Sequence, residues 1–154
     1  MKKHIKYKFI VDDDVKQKYT LLSTNAIEFQ VMAYLNDPDG WSKHGYFFEP
    51  VPYGQDIVIR VSSPKTLKKE CGLSDNLSCA ILGGTKMWLN AERWFHGAPK
   101  SKLGLLEYRQ YMVSHEIGHI LGHEHKTCEC KGCAAHIMIQ QTLGIGDCKP
   151  NTSV

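Results

Sequence analysis

Two histidines four residues apart, with a glutamate beside the first, stand in His115-Glu116-Ile117-Gly118-His119. On a helix, positions i and i+4 share a face, so His115 and His119 can reach one ion together. Neutral imidazoles at that spacing suit zinc. Glu116 beside them can hold a metal-activated water and take its proton. The pattern continues through Ile120-Leu121-Gly122-His123-Glu124-His125, which gives H-E-x-x-H-x-x-G-x-x-H over residues 115–125. Gly122 can adopt the left-handed conformation that ends a helix and turns the chain back. That turn lets His125 reach the metal. His123 is the rival third ligand, but a helix ending at Gly122 points it elsewhere. Three protein ligands leave a fourth position for water, which marks a catalytic rather than a structural zinc. We therefore expect one Zn2+ per chain. A carboxylate ligand fits worse. Only Glu124 and Glu129 follow His119, and Asp147 lies in a glycine-rich loop at no recognised spacing.

These residues need a helix beneath them, and the spacing predicts one over residues 105–121. Upstream, residues 5–11 alternate well enough for a strand, and Asp12-Asp13-Asp14 reads as a solvated turn. Asn25, with Glu28 three residues on, predicts a helix start. Ile27, Val31, Met32, Tyr34 and Leu35 follow at helical spacing, and Asp37-Pro38-Asp39-Gly40 stops them. Residues 46–51 and 56–61 read as two strands around Pro52-Tyr53-Gly54. Residues 64–70 read as one or two helical turns. Residues 79–82 and 86–89 flank Gly83-Gly84-Thr85 as a hairpin. Residues 122–154 show little periodicity and should be irregular. The order predicts an α+β fold with a small mixed, twisted sheet, a backing helix and an active-site helix. We expect a single domain over 1–154. Its upper part, about 1–121, ends in the active-site helix, and its lower part, 122–154, carries the third ligand.

With 154 residues, 42% apolar and 23% charged, the composition is that of an ordinary globular chain. A net charge of +3 and a lysine excess over arginine of 16 to 3 argue against nucleic acid. No apolar run approaches the roughly 18 residues of a membrane helix, so no membrane partner is expected. The basic opening has no apolar h-region behind it, so this numbering contains no signal peptide. Six cysteines, Cys71, Cys79, Cys128, Cys130, Cys133 and Cys148, pull the other way, towards a secreted or mature extracellular form. Localisation stays open at this point. Arg93 and Arg109 are candidates to pair with carboxylates near the active helix. Trp41, Trp88 and Trp94 read as packing residues.

Residues 115–125 resemble the metzincin metallopeptidases. That resemblance implies a methionine in a tight turn beneath the zinc. Met138, the only methionine after the motif, is the match for this Met-turn. A wider resemblance reaches a bacterial family of short, functionally uncharacterised metzincin-like domains. It rests on Gly40-Trp41, Ser63-Pro64, Cys71, Cys79, Asn90, Arg93-Trp94 and Tyr108-Arg109. After the motif it continues with Cys128, Met138, Gln140-Gln141-Thr142, Cys148 and Pro150-Asn151. These pieces run in order over roughly three quarters of the chain. The resemblance implies disulfides Cys71–Cys79 and Cys128–Cys148. Cys130 and Cys133 look like additions, and their state is left open. His136 stands where the family leads us to expect proline. Gln140 stands where some metzincins place a tyrosine. It can donate a hydrogen bond to an oxyanion or to substrate but cannot act as an acid.

The expected activity is that of a zinc-dependent endopeptidase, a monomer acting on peptide or protein substrates, with Glu116 as general base. The resemblance implies that substrate lies extended along an edge strand above the zinc helix, with residues 76–82 as the nearest candidate. Residues 86–90 are the alternative. It also implies that residues 139–146 shape the pocket after the cut. The alternative function is a non-catalytic zinc-containing binding module. A structural reading would instead place a second zinc on Cys128, Cys130, Cys133 and Cys148, since Cys130-x-x-Cys133 has ligand spacing.

Overall fold

The computed structural model describes residues 3–72 and 77–154. Its first strand, β1 (His4–Val11), buries Ile5, Tyr7 and Val11 and turns Lys6, Lys8 and Ile10 outward. The three aspartates that follow do not form a plain turn. Asp12 stands before a short helix, α1 (Asp13–Lys18), with Asp13 and Asp14 in its first turn and Lys16 and Lys18 in its last. That arrangement complements the helix dipole at both ends. Helix α2 (Leu21–Leu35) starts before the expected Asn25, because Thr20 is the cap and its hydroxyl accepts from the Ser23 amide at 3.2 Å. The buried face already begins at Thr24 and continues through Ile27, Val31 and Leu35. Asn36 then fastens the helix end to the sheet, donating to the Phe48 carbonyl and accepting from its amide, each at 2.9 Å.

Strands β2 (Phe47–Pro50) and β3 (Ile57–Ser62) are neighbours in sequence but not in space. Both run parallel to β1, on its opposite sides. Ser63 caps α3 (Pro64–Cys71), with Pro64 at the first helical position. The predicted hairpin is present as β4 (Cys79–Ala80) and β5 (Lys86–Asn90), with β5 parallel to β3. Of the expected edge segment, Asn76 lies outside the described residues. A helix missed in the sequence, α4 (Ala91–His96), is capped by Asn90, whose side chain accepts from Glu92 and Arg93. The five-stranded sheet has the order β2-β1-β3-β5-β4, mostly parallel with β4 as an antiparallel edge.

Helices α2 and α5 (Leu105–Ile120) pack on each other, and α5 lies against β4 and β5. Their shared core holds Tyr7, Ile27, Val31, Ile59, Leu89 and Val113, none of them accessible. Beyond Ile120 the described residues form no further helix or strand, only bridges between Lys126 and Ile139 and between Ala134 and Lys149. A second, smaller apolar cluster of Ala135, Ile139, Ile145 and Cys148 sits there. The mixed sheet, backing helix, long helix and loop-rich end are as the sequence predicts.

Candidate metal centre

Helix α5 carries His115 and His119 on one side, and its end explains how His125 joins them. Gly122 has φ +97°, a left-handed conformation that only glycine adopts without strain. The His123 amide then donates back to the Gly118 carbonyl at 2.9 Å, closing the turn. One ligand nitrogen from each of His115, His119 and His125 lies within 4.8 Å of the others. Among the described residues this is the one group of three or more His, Cys, Asp or Glu able to hold a metal ion. His123 is outside it. Its ring stacks on Trp41 at 4.7 Å between centroids.

The second ring nitrogens fix the tautomers. His115 Nδ1 donates to the Ile137 carbonyl at 2.8 Å, and His119 Nδ1 donates to the His123 carbonyl at 2.8 Å. A carbonyl oxygen only accepts, so both protons sit on Nδ1 and both Nε2 atoms carry the lone pair. His119 Nε2 approaches His125 Nε2 at 3.0 Å. Burial pushes His115 down to about 3 and lowers His119 and His125 as well, so all three rings favour the neutral, ligating form. Glu116 is buried, and burial pushes its carboxyl up to about 8. Its Oε2 has no hydrogen-bond partner among the described residues.

Met138 is fully buried, with its sulfur against Gly118, between the two helical histidines in sequence. The Met138 carbonyl accepts from the Lys126 amide at 3.0 Å, joining the turn to the residue after His125. His136, at the position expected to be proline, accepts from the Met138 amide through Nδ1 at 3.0 Å. The cluster opens into a cleft of about 330 Å³. Ser78, Cys79 and Ala80 of the β4 side, Gln140 and Thr142 of the lower side, and Glu116 all line it.

Three residues of this site have a role that the sequence reading did not assign. Tyr111 donates to the Ile139 carbonyl at 3.0 Å and accepts from the Gln141 amide at 2.9 Å, which holds the segment after Met138 against α5. Tyr108 meets Thr142 hydroxyl to hydroxyl at 2.8 Å. Gly118 supplies the space for Met138. Arg109 departs from its expected carboxylate partner. It donates to the Trp94 carbonyl at 2.7 Å and to Gln30 at 3.1 Å. The cysteines pair as Cys71 with Cys79, Cys128 with Cys148, and Cys130 with Cys133, with Cα separations of 6.5, 5.8 and 5.4 Å. All six sulfurs are engaged, so the tetrathiolate arrangement is not formed. Cystines are consistent with an extracellular protein, and no helix among the described residues is long and apolar enough to cross a membrane.

The chain belongs to the family described as "Protein of unknown function (DUF3152)", whose profile matches residues 1–151. No curated protein matches it. Among solved structures, archaemetzincin (amzA) from Methanopyrus kandleri is similar, with a TM-score of 0.55 at 16% identity. That match covers 97% of this chain and 89% of archaemetzincin. Myroilysin is matched at TM-score 0.47 and 19% identity, over 79% of this chain and 48% of that one. The chain thus spans about half the length of myroilysin. The archaemetzincin match shows a shared fold, so the architecture is metzincin-like.

Proposed function

We propose that this chain is a zinc-dependent endopeptidase in which His115, His119 and His125 hold the metal. The observation that carries this reading is the committed donor set. Two Nδ1–H groups are spent on carbonyls, so the Nε2 atoms of His115 and His119 carry lone pairs in the cleft that Glu116 also lines, and the buried Glu116 Oε2 has no hydrogen-bond partner among the described residues. Tetrahedral zinc with nitrogens at about 2.0–2.1 Å needs those nitrogens roughly 3.4 Å apart, which this cluster accommodates with small adjustment. When bound, zinc acidifies a water molecule and polarises a peptide carbonyl.

The chain's own residues would do the rest. Glu116 Oε2 takes a proton from the attacking water and delivers it to the leaving amine nitrogen. Edge strand β4, with no further strand beyond it among the described residues, offers its outer backbone side to an extended peptide. Gln140, on the opposite wall, donates a hydrogen bond to substrate or to a developing oxyanion. Met138, packed against Gly118, and Tyr111, bonded to Ile139, keep the lower wall seated against α5.

Metal analysis with activity on a broad peptide library tests the reading. Wild type should hold one zinc per chain, lose activity to a chelator and regain it with zinc. Glu116→Ala should keep fold and metal but lose turnover. His125→Ala should lose metal, whereas His123→Ala should retain it. Metal retained by His125→Ala would defeat the ligand set, and a metal-loaded wild type without turnover would favour the binding-module reading.

A further inference from the structure

The outer face of the sheet, turned away from the metal cleft, holds a cavity of about 540 Å³, within the size range of small-ligand sites. The strand register fixes what lines it. Lys8, Val58 and Lys86 form one row across β1, β3 and β5, and Ile10, Arg60 and Trp88 form another. Their sequence neighbours Ile59, Met87 and Leu89 point into the core. The floor is therefore aliphatic and aromatic, with Ile10, Val58 and Trp88 half-buried. Trp41 and Trp94 are buried, so Trp88 is the one tryptophan with an accessible ring.

The charges divide into a satisfied pair and an unsatisfied one. Arg60 donates to Asp12 at 2.7 Å, and the other Asp12 oxygen accepts from Ser62 at 2.6 Å. Lys8 and Lys86 have no ion-pair partner among the described residues. They stand two strands apart, roughly 9.6 Å between Cα atoms, so both ammoniums can converge on one anion. Glu70, Thr66 and Gln55 complete the rim with a carboxylate, a hydroxyl and an amide.

This set does not suit a peptide. The central strands spend their backbone groups on one another, and strand addition requires an edge. It suits a sugar. A flat aromatic face packs against the C–H side of a pyranose ring, and the rim groups accept or donate to hydroxyls. Two ammoniums beside one carboxylate leave an excess positive charge for an acidic substituent. We propose that this outer face binds an acidic saccharide, with its ring on Trp88 and its anionic group between Lys8 and Lys86.

Fluorescence titration of the full chain tests this, since Trp88 is the accessible fluorophore. The probes are tetragalacturonate, sulfated maltotetraose, neutral maltotetraose and a short poly-glutamate. A saturable change with either acidic sugar supports the proposal, and which one responds tells a carboxylate from a sulfate ligand. Neutral maltotetraose and the K8A/K86A double variant should each bind at least about tenfold more weakly. Glu116→Ala should bind like wild type, which separates this site from the cleft. Calorimetry on Trp88→Ala, where the fluorophore is gone, should show the loss of the stacking partner. No saturable response to either acidic sugar, unchanged affinity in K8A/K86A, or equal binding of poly-glutamate would each overturn it.

Discussion

The thioether of Met138 fills the space that a Cβ on Gly118 would need. The ring edge of Trp41 closes the same space from another side, 3.1 Å from where that Cβ would lie. Trp41 is itself pinned, because its indole N–H donates to the Ser114 carbonyl at 2.8 Å. The glycine between His115 and His119 is thus the socket in which the Met138 side chain is seated.

Gly118→Ala should therefore destabilise the fold, although alanine is the better helix former by about 1 kcal/mol. Overpacking of this kind costs roughly 1–3 kcal/mol. Met138→Ala opens a cavity and should cost about 2–5 kcal/mol alone. The two substitutions share one space, so the double variant should be more stable than their sum predicts by at least about 0.5 kcal/mol. Urea unfolding of the four proteins measures this. Strict additivity would separate Met138 from Gly118.

The Cys128–Cys148 bridge closes a segment of 20 residues that contains Met138. Loop-closure arithmetic gives such a cross-link about 3 kcal/mol. Intact mass after alkylation without reductant should show no modified cysteine, and after reduction six. Replacing both Cys128 and Cys148 by serine should lower stability by about 2–3 kcal/mol. Six modified cysteines before reduction would contradict the pairing.

Glu92 ties α4 to the end of α1. It forms an ion pair with Lys18 and accepts from the Tyr19 hydroxyl at 3.0 Å. The Lys18 contact, helped by Tyr19, holds its carboxyl below the ordinary 4.5. A folded-state value below the unfolded one contributes stability above the unfolded value and loses it as pH falls through the folded value. With the pair partly exposed, the contribution is at most about 1 kcal/mol. Glu92→Gln should thus be less stable than wild type near neutral pH, and the gap should close on acidification below about 4. Urea midpoints at about pH 7 and pH 3 measure it, and a gap that widens in acid would contradict the assignment.

The parts of the site legible in the sequence are the local ones. His115, Glu116 and His119 follow from helical spacing, and Gly122 announces the turn that brings His125 back. Met138 is visible only through family resemblance, because a lone methionine 13 residues past His125 has no periodic signature. Tyr108, Tyr111 and Gly118 act through partners 20 to 34 positions away, which spacing cannot reveal. The misread elements have equally specific reasons. Asp12-Asp13-Asp14 suits both a turn and a helix start, and the Asp12 contacts to Arg60 and Ser62 of β3 decide for the latter. Asn25 and Thr20 are both capping types, and the buried Thr24 extends the helix face back past Asn25. Helix α4 has only six residues, too few to show a period. The crossing that puts β1 between β2 and β3 is a long-range property that the turn between them does not encode.

The His119 carbonyl accepts two amides, from Gly122 at 2.9 Å and from Gly83 of the β4–β5 hairpin at 2.8 Å. One oxygen therefore finishes α5 and moors the hairpin whose first strand lines the upper rim of the cleft. The rim and the helix that carries His115 and His119 share this one anchor, so a substitution that shifts the end of α5 reaches the hairpin as well.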